Sequence, residues 1–135
     1  MADKIVITGL GVVSAAGIGQ APFWDALVAG RSALAEVERF SLEPFATRLG
    51  GEIRDLDPAD YIAGKRLRYV PEAAIYFTIA AQFALEDAGL SVTPDNGFDF
   101  GLILGSTFSN IDDIADFHCI VHRLRTIPQC GLNST

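Results

Sequence analysis

The stretch that decides the fold of this chain is KIVITGLGVVSAAGIG, residues 4–19. The four residues from Ile5 to Thr8 are all β-branched, and such a run favours a buried strand. Glycine then recurs at positions 9, 11, 17 and 19, where the backbone must either turn or approach another segment closely. The pattern predicts a buried strand with a tightly packed exit.

Glycines after a strand are also found in nucleotide-binding loops. The dinucleotide fingerprint G-x-G-x-x-G fails at its third glycine, because that position is Ser14. Val12 and Val13 are β-branched and continue the strand-like run where the fingerprint would open a helix. The Gly-Lys-Ser/Thr of a phosphate loop is missing as well. A strand with a glycine turn is therefore favoured, and a dinucleotide-binding module is the least favoured hypothesis.

Length and charge restrict the classes of function. With 135 residues, of which 50% are hydrophobic, the chain is expected to fold as one domain with a modest core. A net charge of −7 argues against nucleic acid or an anionic membrane as a partner. The apolar runs are shorter than the ~18 residues of a membrane span. The apolar start lacks a basic region and breaks at Gly9 and Gly11, so we expect no secretory signal. We expect a cytoplasmic protein.

Two helices are predicted. Residues 20–30 place Phe23, Trp24, Leu27 and Val28 on one apolar face before Gly30, and Trp24 is expected to pack in the core. Residues 71–88 are rich in alanine and apolar nearly all round, so most of this helix should be buried. Since 135 residues can hardly surround such a helix, further protein is expected around it.

The other segments complete an α/β order. Residues 31–68 are predicted to form a surface excursion, with a short strand near 48–53 and a helical turn near 58–62. A turn at 95–97 leads into the apolar run 98–105, which is typical of a strand covered on both faces. Strand, helix, excursion, buried helix and buried strand in this order indicate an α/β fold.

The ordered series of motifs resembles one family. The opening run, FWDALVAGRS at 23–32, EDAGL at 86–90 and GLILGST at 101–107 are similar to the N-terminal portion of β-ketoacyl-acyl-carrier-protein synthases, condensing enzymes of the thiolase superfamily. The resemblance is strongest over residues 4–110, and residues 116–135 diverge. It implies that residues 1–135 are the N-terminal part of a synthase domain. The implied fold is an incomplete thiolase-like layered one, with a mixed β-sheet packed against the buried alanine-rich helix.

The resemblance also implies a chemistry. The family transfers an acyl chain to a cysteine thiol and condenses it with malonyl-acyl-carrier protein in a decarboxylative Claisen reaction of fatty acid or polyketide synthesis. This chemistry needs an activated cysteine and two histidines that stabilise the developing oxyanion. In the family these residues lie beyond the part that this chain resembles. We therefore assign no catalytic residue and expect the chain alone to be inactive, with no cofactor.

The implied partners are acyl carrier protein, an acyl thioester, and a homo- or hetero-oligomeric partner or missing C-terminal chain. The alternative function is that of a non-catalytic subunit resembling a chain-length factor, which shapes a partner's acyl pocket. By resemblance, Phe108 falls where a side chain can gate the acyl pocket, although an ordinary core residue is an equal interpretation. Lys65, Arg66 and Arg68 form the densest basic cluster, either a solvated loop face, which is favoured, or a carrier-protein contact.

Two cysteines and two histidines lie near the end of the sequence. Cys119 and Cys130 do not form a C-x-x-C motif and are interpreted as free thiols. His118 and His122 are four residues apart on either side of Cys119, which suggests a Cys-His dyad or a metal site. That set is incomplete for structural zinc, and the spacing lacks the glutamate of H-E-x-x-H. Ordinary residues of an amphipathic segment are favoured, and no metal site is predicted.

Overall fold

The computed structural model describes residues 4–63, 67, 70–107, 111, 114–115 and 118–120. The chain forms two compact units, Met1–Leu102 and Ile103–Thr135. The first unit holds all the elements named below. In the second unit the described residues from 111 to 120 are helical.

The described residues of the first unit form two short hairpins and two helices. Strands β1 (Val13–Ser14) and β2 (Gly17–Ile18) pair antiparallel, with Val13 opposite Ile18. Strands β3 (Ala35–Glu36) and β4 (Leu49–Gly50) form a second antiparallel pair. The other elements are the helices α1 (Gln20–Val28) and α2 (Glu72–Asp87) and the 3₁₀ turns Pro58–Asp60 and Gly97–Asp99. The predicted strand near 48–53, the turn near 58–62 and the turn at 95–97 are confirmed.

Both predicted helices are confirmed, and both end in the same way. Gly30 and Gly89 have φ values of 63° and 64°, in the left-handed region that glycine adopts without strain. The N–H of Gly89 donates to the carbonyl of Glu86 at 3.0 Å, and that of Leu90 donates to Leu85 at 2.9 Å. Arg31 and Gly30 make the equivalent bonds at the end of α1. These Schellman caps satisfy carbonyls that the last helical turns leave unpaired.

Among the residues that the structure describes, none of the helices combines the length and apolar character needed to cross a bilayer.

The prediction of two buried strands, one in the opening run and one after the turn at 95–97, is wrong. Residues 4–8 and 98–105 have no assigned strand in the structure. Ile5 is fully exposed, Ile7 is 83% exposed, and Phe98 and Ile103 are also exposed. A strand requires a neighbour that completes its ladder of hydrogen bonds, and none is assigned to these segments in the described part of the chain. Residues with high strand propensity are therefore left without a sheet.

The core of the described residues is small. The buried apolar side chains are Ala26, Leu42, Ile75 and Ile79, and Ile79 alone is fully buried. The prediction that most of α2 is buried is therefore only partly met. The prediction that Trp24 packs in the core is wrong, since its side chain is 64% exposed. Only Ala26 of α1 is buried, so the side of the helix that carries Trp24 has no cover in the described structure.

Candidate functional site

The opening run packs closely against the backbone of α2. A Cβ added to Gly9 would collide with the carbonyl oxygen of Ala84 and lie 2.8 Å from the Cβ of Ala88. A Cβ added to Gly11 would collide with the carbonyl oxygen of Ala80. Gly9 and Gly11 therefore pack against three alanines that are spaced one helical turn apart along α2. The prediction that these glycines serve close packing is confirmed, because the backbone of α2 occupies the space that a side chain at either position would need.

Polar contacts fix the register of this packing. The N–H of Leu10, between the two glycines, donates to Oδ2 of Asp87 at 3.0 Å. The carbonyl of Leu10 accepts from Nε2 of Gln20, the first residue of α1, at 2.7 Å. The Leu10 N–H and then the Gln20 amide lower the pKa of Asp87, because both stabilise its charged form. One residue of the opening run is thereby tied to both helices.

An apolar groove of about 520 Å³ lies beside this contact. Thr8 and Gly9 of the opening run line it together with Phe100, Gly101 and Leu102. The other lining residues are small or aliphatic: Ala81, Ala84, Leu85, Ala88, Leu90, Val92 and Gly97. Such a groove offers van der Waals contact and almost no polar recognition.

A charged cluster lies at the other end of α2. Nη1 of Arg39 donates to Oε2 of Glu72 at 2.8 Å, and the hydroxyl of Tyr76 donates to Oε1 at 2.5 Å. Burial and the Glu72 carboxylate raise the pKa of Tyr76 to about 12, so its hydroxyl stays a donor at neutral pH. Burial acts to raise the pKa of Glu72, but Arg39 and Tyr76 outweigh it and lower that pKa. The cluster ties the excursion to the first turn of α2.

A second carboxylate organises the excursion itself. The side chain of Glu52 is 9% exposed and forms an ion pair with Arg54 at 3.0 Å. Its oxygens also accept from the backbone N–H groups of Glu38 and Arg39, each at 3.1 Å. Burial acts to raise the pKa of Glu52, and these donors together lower it.

These charged residues line a cleft of about 670 Å³ together with apolar residues that include Ile53, Leu56, Val70 and Ile75. The described residues that line it include no cysteine, histidine or serine. Glu52 and Glu72 already bind arginine partners. The described part of the cleft therefore presents a network of ion pairs.

Most of the candidate site residues predicted from the sequence lie outside the described part of the chain. Phe108 and the basic residues Lys65, Arg66 and Arg68 lie outside the described residues, as do His122 and Cys130. Cys119 is a free, exposed thiol. Among the described residues no group of three or more His, Cys, Asp or Glu side chains could hold a metal ion.

Sequence reasoning did not single out Arg39, Glu52 or Glu72. Arg39 and Glu72 are separated by 33 positions, and no local pattern pairs charges at such a distance. The one available signal was Glu72 in the first turn of α2, where an acidic residue complements the helix dipole.

Comparison with known proteins defines the class. Residues 2–122 match the family model described as Beta-ketoacyl synthase, N-terminal domain. The chain is 32% identical over 115 residues to 3-oxoacyl-[acyl-carrier-protein] synthase 2 of Vibrio harveyi, covering 85% of this chain and 28% of that protein. It is 32% identical over 109 residues to the actinorhodin polyketide putative beta-ketoacyl synthase 2 of Streptomyces coelicolor, covering 81% and 27%.

The structural comparison agrees. The ishigamide ketosynthase/chain length factor aligns with a TM-score of 0.70 and 30% identity, covering 89% of this chain and 30% of that one. The layered α/β fold expected from the motifs is thus the fold of a ketosynthase. The chain belongs to the β-ketoacyl synthase family. It spans between a quarter and a third of the proteins that it matches here.

Proposed function

We propose that this chain is the N-terminal portion of a β-ketoacyl-acyl-carrier-protein synthase. In the presence of the rest of that fold it contributes to decarboxylative Claisen condensation of an acyl thioester with malonyl-acyl-carrier protein. The observation that carries this proposal is the family match over residues 2–122. It is supported by the packing of Gly9 and Gly11 on the alanines of α2, which gives the family motifs a structural role.

In this proposal the chain supplies a scaffold and no catalytic residue. Condensation needs a cysteine thiolate and donors aimed at the developing oxyanion. Among the described residues, Cys119 is exposed, whereas a nucleophile of this kind acts in a site that excludes water. The carboxylates that line the large cleft are bound to arginines. In this proposal the nucleophile and the oxyanion donors come from elsewhere in the assembled fold.

Two further roles belong to this proposal. Lys65, Arg66 and Arg68 would contact the acyl carrier protein, because a basic cluster in a chain of net charge −7 is the local feature that an acidic partner can use. Phe108 would limit the acyl pocket through its volume, because a filled site does not accept a longer chain without displacement. If the assembly extended long-chain and short-chain primers equally, and Phe108→Gly changed neither rate, Phe108 would have no gating role.

Intact-mass analysis tests the scaffold role directly. The chain is incubated with an acyl-acyl-carrier-protein thioester, and its mass is compared with that of the Cys119→Ala variant. We expect no mass increase corresponding to an acyl group in either protein. An acyl adduct on the unmodified chain that Cys119→Ala removes would place a nucleophile in this chain and overturn the scaffold role.

A second candidate function is that of a non-catalytic subunit resembling a chain-length factor. One of the relatives is the tetracenomycin polyketide synthase ketoacyl synthase beta subunit of Streptomyces glaucescens, 35% identical over 98 residues, covering 73% of this chain and 24% of that protein. The ishigamide ketosynthase/chain length factor is similar to this chain as well. The two candidates differ in one readout. A subunit of this kind changes the length of a partner ketosynthase's product, whereas a synthase portion is required for condensation itself.

A further inference from the structure

The loop that follows α2 contains an asparagine directly before a glycine, Asn96-Gly97. Asparagine is one of the thermolabile residue types. In such a pair the backbone nitrogen of the glycine can attack the side-chain carbonyl carbon of the asparagine, because no Cβ stands beside that nitrogen. A Cβ built on Gly97 would meet nothing within 4 Å, so the neighbouring residues leave this space open as well. The pair therefore has the chemistry of a spontaneous hydrolytic modification site.

The structure holds the side-chain amide of Asn96 by both of its polar atoms. Oδ1 accepts a hydrogen bond from the backbone N–H of Thr93 at 2.7 Å, and Nδ2 donates to the backbone carbonyl of Ser91 at 3.0 Å. The backbone N–H of Asn96 also donates to the carbonyl of Thr93 at 3.3 Å. The residue is half-buried. The amide is thus bound to residues that precede it in the chain.

These contacts keep the amide from the nitrogen that would attack it. Asn96 occupies the N-cap position of the 3₁₀ turn Gly97–Asp99, yet its side chain makes no capping hydrogen bond to that turn. The backbone carbonyl of Asn96 accepts from the N–H of Asp99 at 2.9 Å, which holds the peptide group between Asn96 and Gly97. Attack requires the side-chain carbonyl carbon to approach the Gly97 nitrogen, so the loop must open locally before the reaction can occur.

We propose that Asn96 is a deamidation site that its own hydrogen bonds protect in the folded loop and that opening of the loop makes reactive. The Gly97 nitrogen forms a bond to Cγ of Asn96, the bond from Cγ to Nδ2 breaks, and the proton of the Gly97 N–H leaves with Nδ2 as ammonia. Water then adds to either carbonyl of the cyclic succinimide and opens the ring to aspartate or isoaspartate. Water is the only co-reactant. The inference is independent of the proposed function.

Modification would prevent the loop from closing again. An aspartate at position 96 has no N–H for the carbonyl of Ser91, so two acceptors would face each other. It would also add a third acidic residue to the stretch 95–99. Isoaspartate lengthens the backbone by one methylene group and would displace the turn that the N–H of Asn96 forms with Thr93. An opening of the loop that leads to deamidation is therefore irreversible.

Peptide mass spectrometry of the full chain tests the protection. The chain is incubated at mildly alkaline pH, with and without a urea concentration that unfolds it, and the acid form at position 96 is measured after digestion. A synthetic peptide of residues 91–100 in the same two solutions corrects for any effect of urea on the chemical step. Because two hydrogen bonds hold the amide, we expect the folded chain to deamidate about tenfold or more slowly than the unfolded chain. Equal corrected rates, or no reaction in urea, would overturn the proposal.

Gly97→Ala is the matched control for the chemical step. Its Cβ has open space in the folded loop but hinders attack by the nitrogen of residue 97. We expect this variant to deamidate more slowly than the unmodified chain in urea. The same rate in urea would show that residue 97 is not the nucleophile and would overturn the mechanism.

A change of one donor separates protection by the Asn96 hydrogen bonds from protection by the fold as a whole. Thr93→Pro removes the N–H that binds Oδ1, whereas Thr93→Ala keeps it. Without urea we expect Thr93→Pro to deamidate about two- to tenfold faster than Thr93→Ala, the equivalent of one lost hydrogen bond. In urea the two variants should react alike. Circular dichroism of both variants checks that their helix content is unchanged, and equal rates in the folded variants would overturn the proposal.

Hydrogen exchange of the Thr93 amide gives the same test without a variant. This N–H is bound only while the loop is closed, so its protection factor in the unmodified chain should be of the same order as the slowing of deamidation. An unprotected Thr93 amide would show that the bond to Asn96 does not persist in solution and would overturn the proposal.

Discussion

Two adjacent parts of one run of sequence behave differently. Residues 9–11 pack on the backbone of α2, and residues 5–8, which have the higher strand propensity, are exposed. The difference is the presence of a complementary surface, since Ala80, Ala84 and Ala88 lie opposite the glycines and no segment of the described chain pairs with the residues before them. Contact with a partner surface, more than local propensity, decides which part of the run is structured.

Gly11→Ala should have the largest effect on this comparison. The added methyl group would collide with the carbonyl oxygen of Ala80, so we expect the free energy of unfolding to fall by about 1–3 kcal/mol. Gly97→Ala is the matched control, because a Cβ there meets nothing within 4 Å, and we expect a change within about 0.5 kcal/mol. Urea unfolding followed by circular dichroism measures both. Equal stability of the two variants would show that the glycine contact does not hold the unit together.

Asp87→Asn tests the polar tie of the same contact. The amide oxygen can still accept from Leu10, so only the charge of the acceptor is lost and the effect should be smaller than that of Gly11→Ala. Because the hydrogen bonds lower the pKa of Asp87 in the folded state, its stabilisation is present above the ordinary aspartate pKa. It is lost as the pH falls through the lower folded value.

The matching experiment is acid unfolding below about pH 4, the range of ordinary aspartate titration. We expect the stability of Asp87→Asn to fall less steeply with decreasing pH than that of the unmodified chain. Identical acid profiles would mean that the bond between Leu10 and Asp87 contributes nothing.

Glu72→Gln tests the first turn of α2, where the contact is an ion pair with Arg39. The ion pair with Arg39 is largely solvent-exposed, with 62% and 48% of the two side chains accessible. We therefore expect a loss of only about 0.5 kcal/mol at low salt, and less than that in 1 M NaCl. Glu43→Gln is the control, since Glu43 makes none of the ion pairs between described residues. A loss above that of Gly11→Ala would reverse the ranking of the two ends.

Trp24→Ala should have the smallest effect. A core tryptophan would cost about 3–5 kcal/mol on truncation, whereas a residue that is 64% exposed should cost less than about 0.5 kcal/mol. Ile79→Ala, at the one fully buried side chain of the described core, should cost about 2–5 kcal/mol in the same urea experiment. A cost for Trp24→Ala as large as that for Ile79→Ala would show that α1 is covered in solution.

Elements that depend on neighbours in the sequence were predictable. The two helices and their ends follow from apolar spacing and from Gly30 and Gly89, whose left-handed conformations close the Schellman caps. The family motifs are local as well, which is why the family could be inferred from them.

Features that depend on distant residues were not predictable. The strand predictions at residues 4–8 and 98–105 assumed ladder partners that the described chain does not provide. Trp24 was placed in the core from its helix face alone, which gives no information on whether that face is covered. The bond between Arg39 and Glu72 joins residues 33 positions apart, and charge patterning does not identify such a pair.

Amide hydrogen exchange of the isolated chain tests the central comparison most directly, because it reports on both parts of the opening run in one experiment. We predict fast exchange at Ile5, Val6 and Ile7, where no hydrogen bond protects the amides, and slow exchange at Leu10 and along Ala80–Ala88, where the glycines pack on α2. Slow exchange at Ile5–Ile7 in the isolated chain, equal to that at Leu10, would contradict the distinction between exposed residues 5–8 and packed residues 9–11.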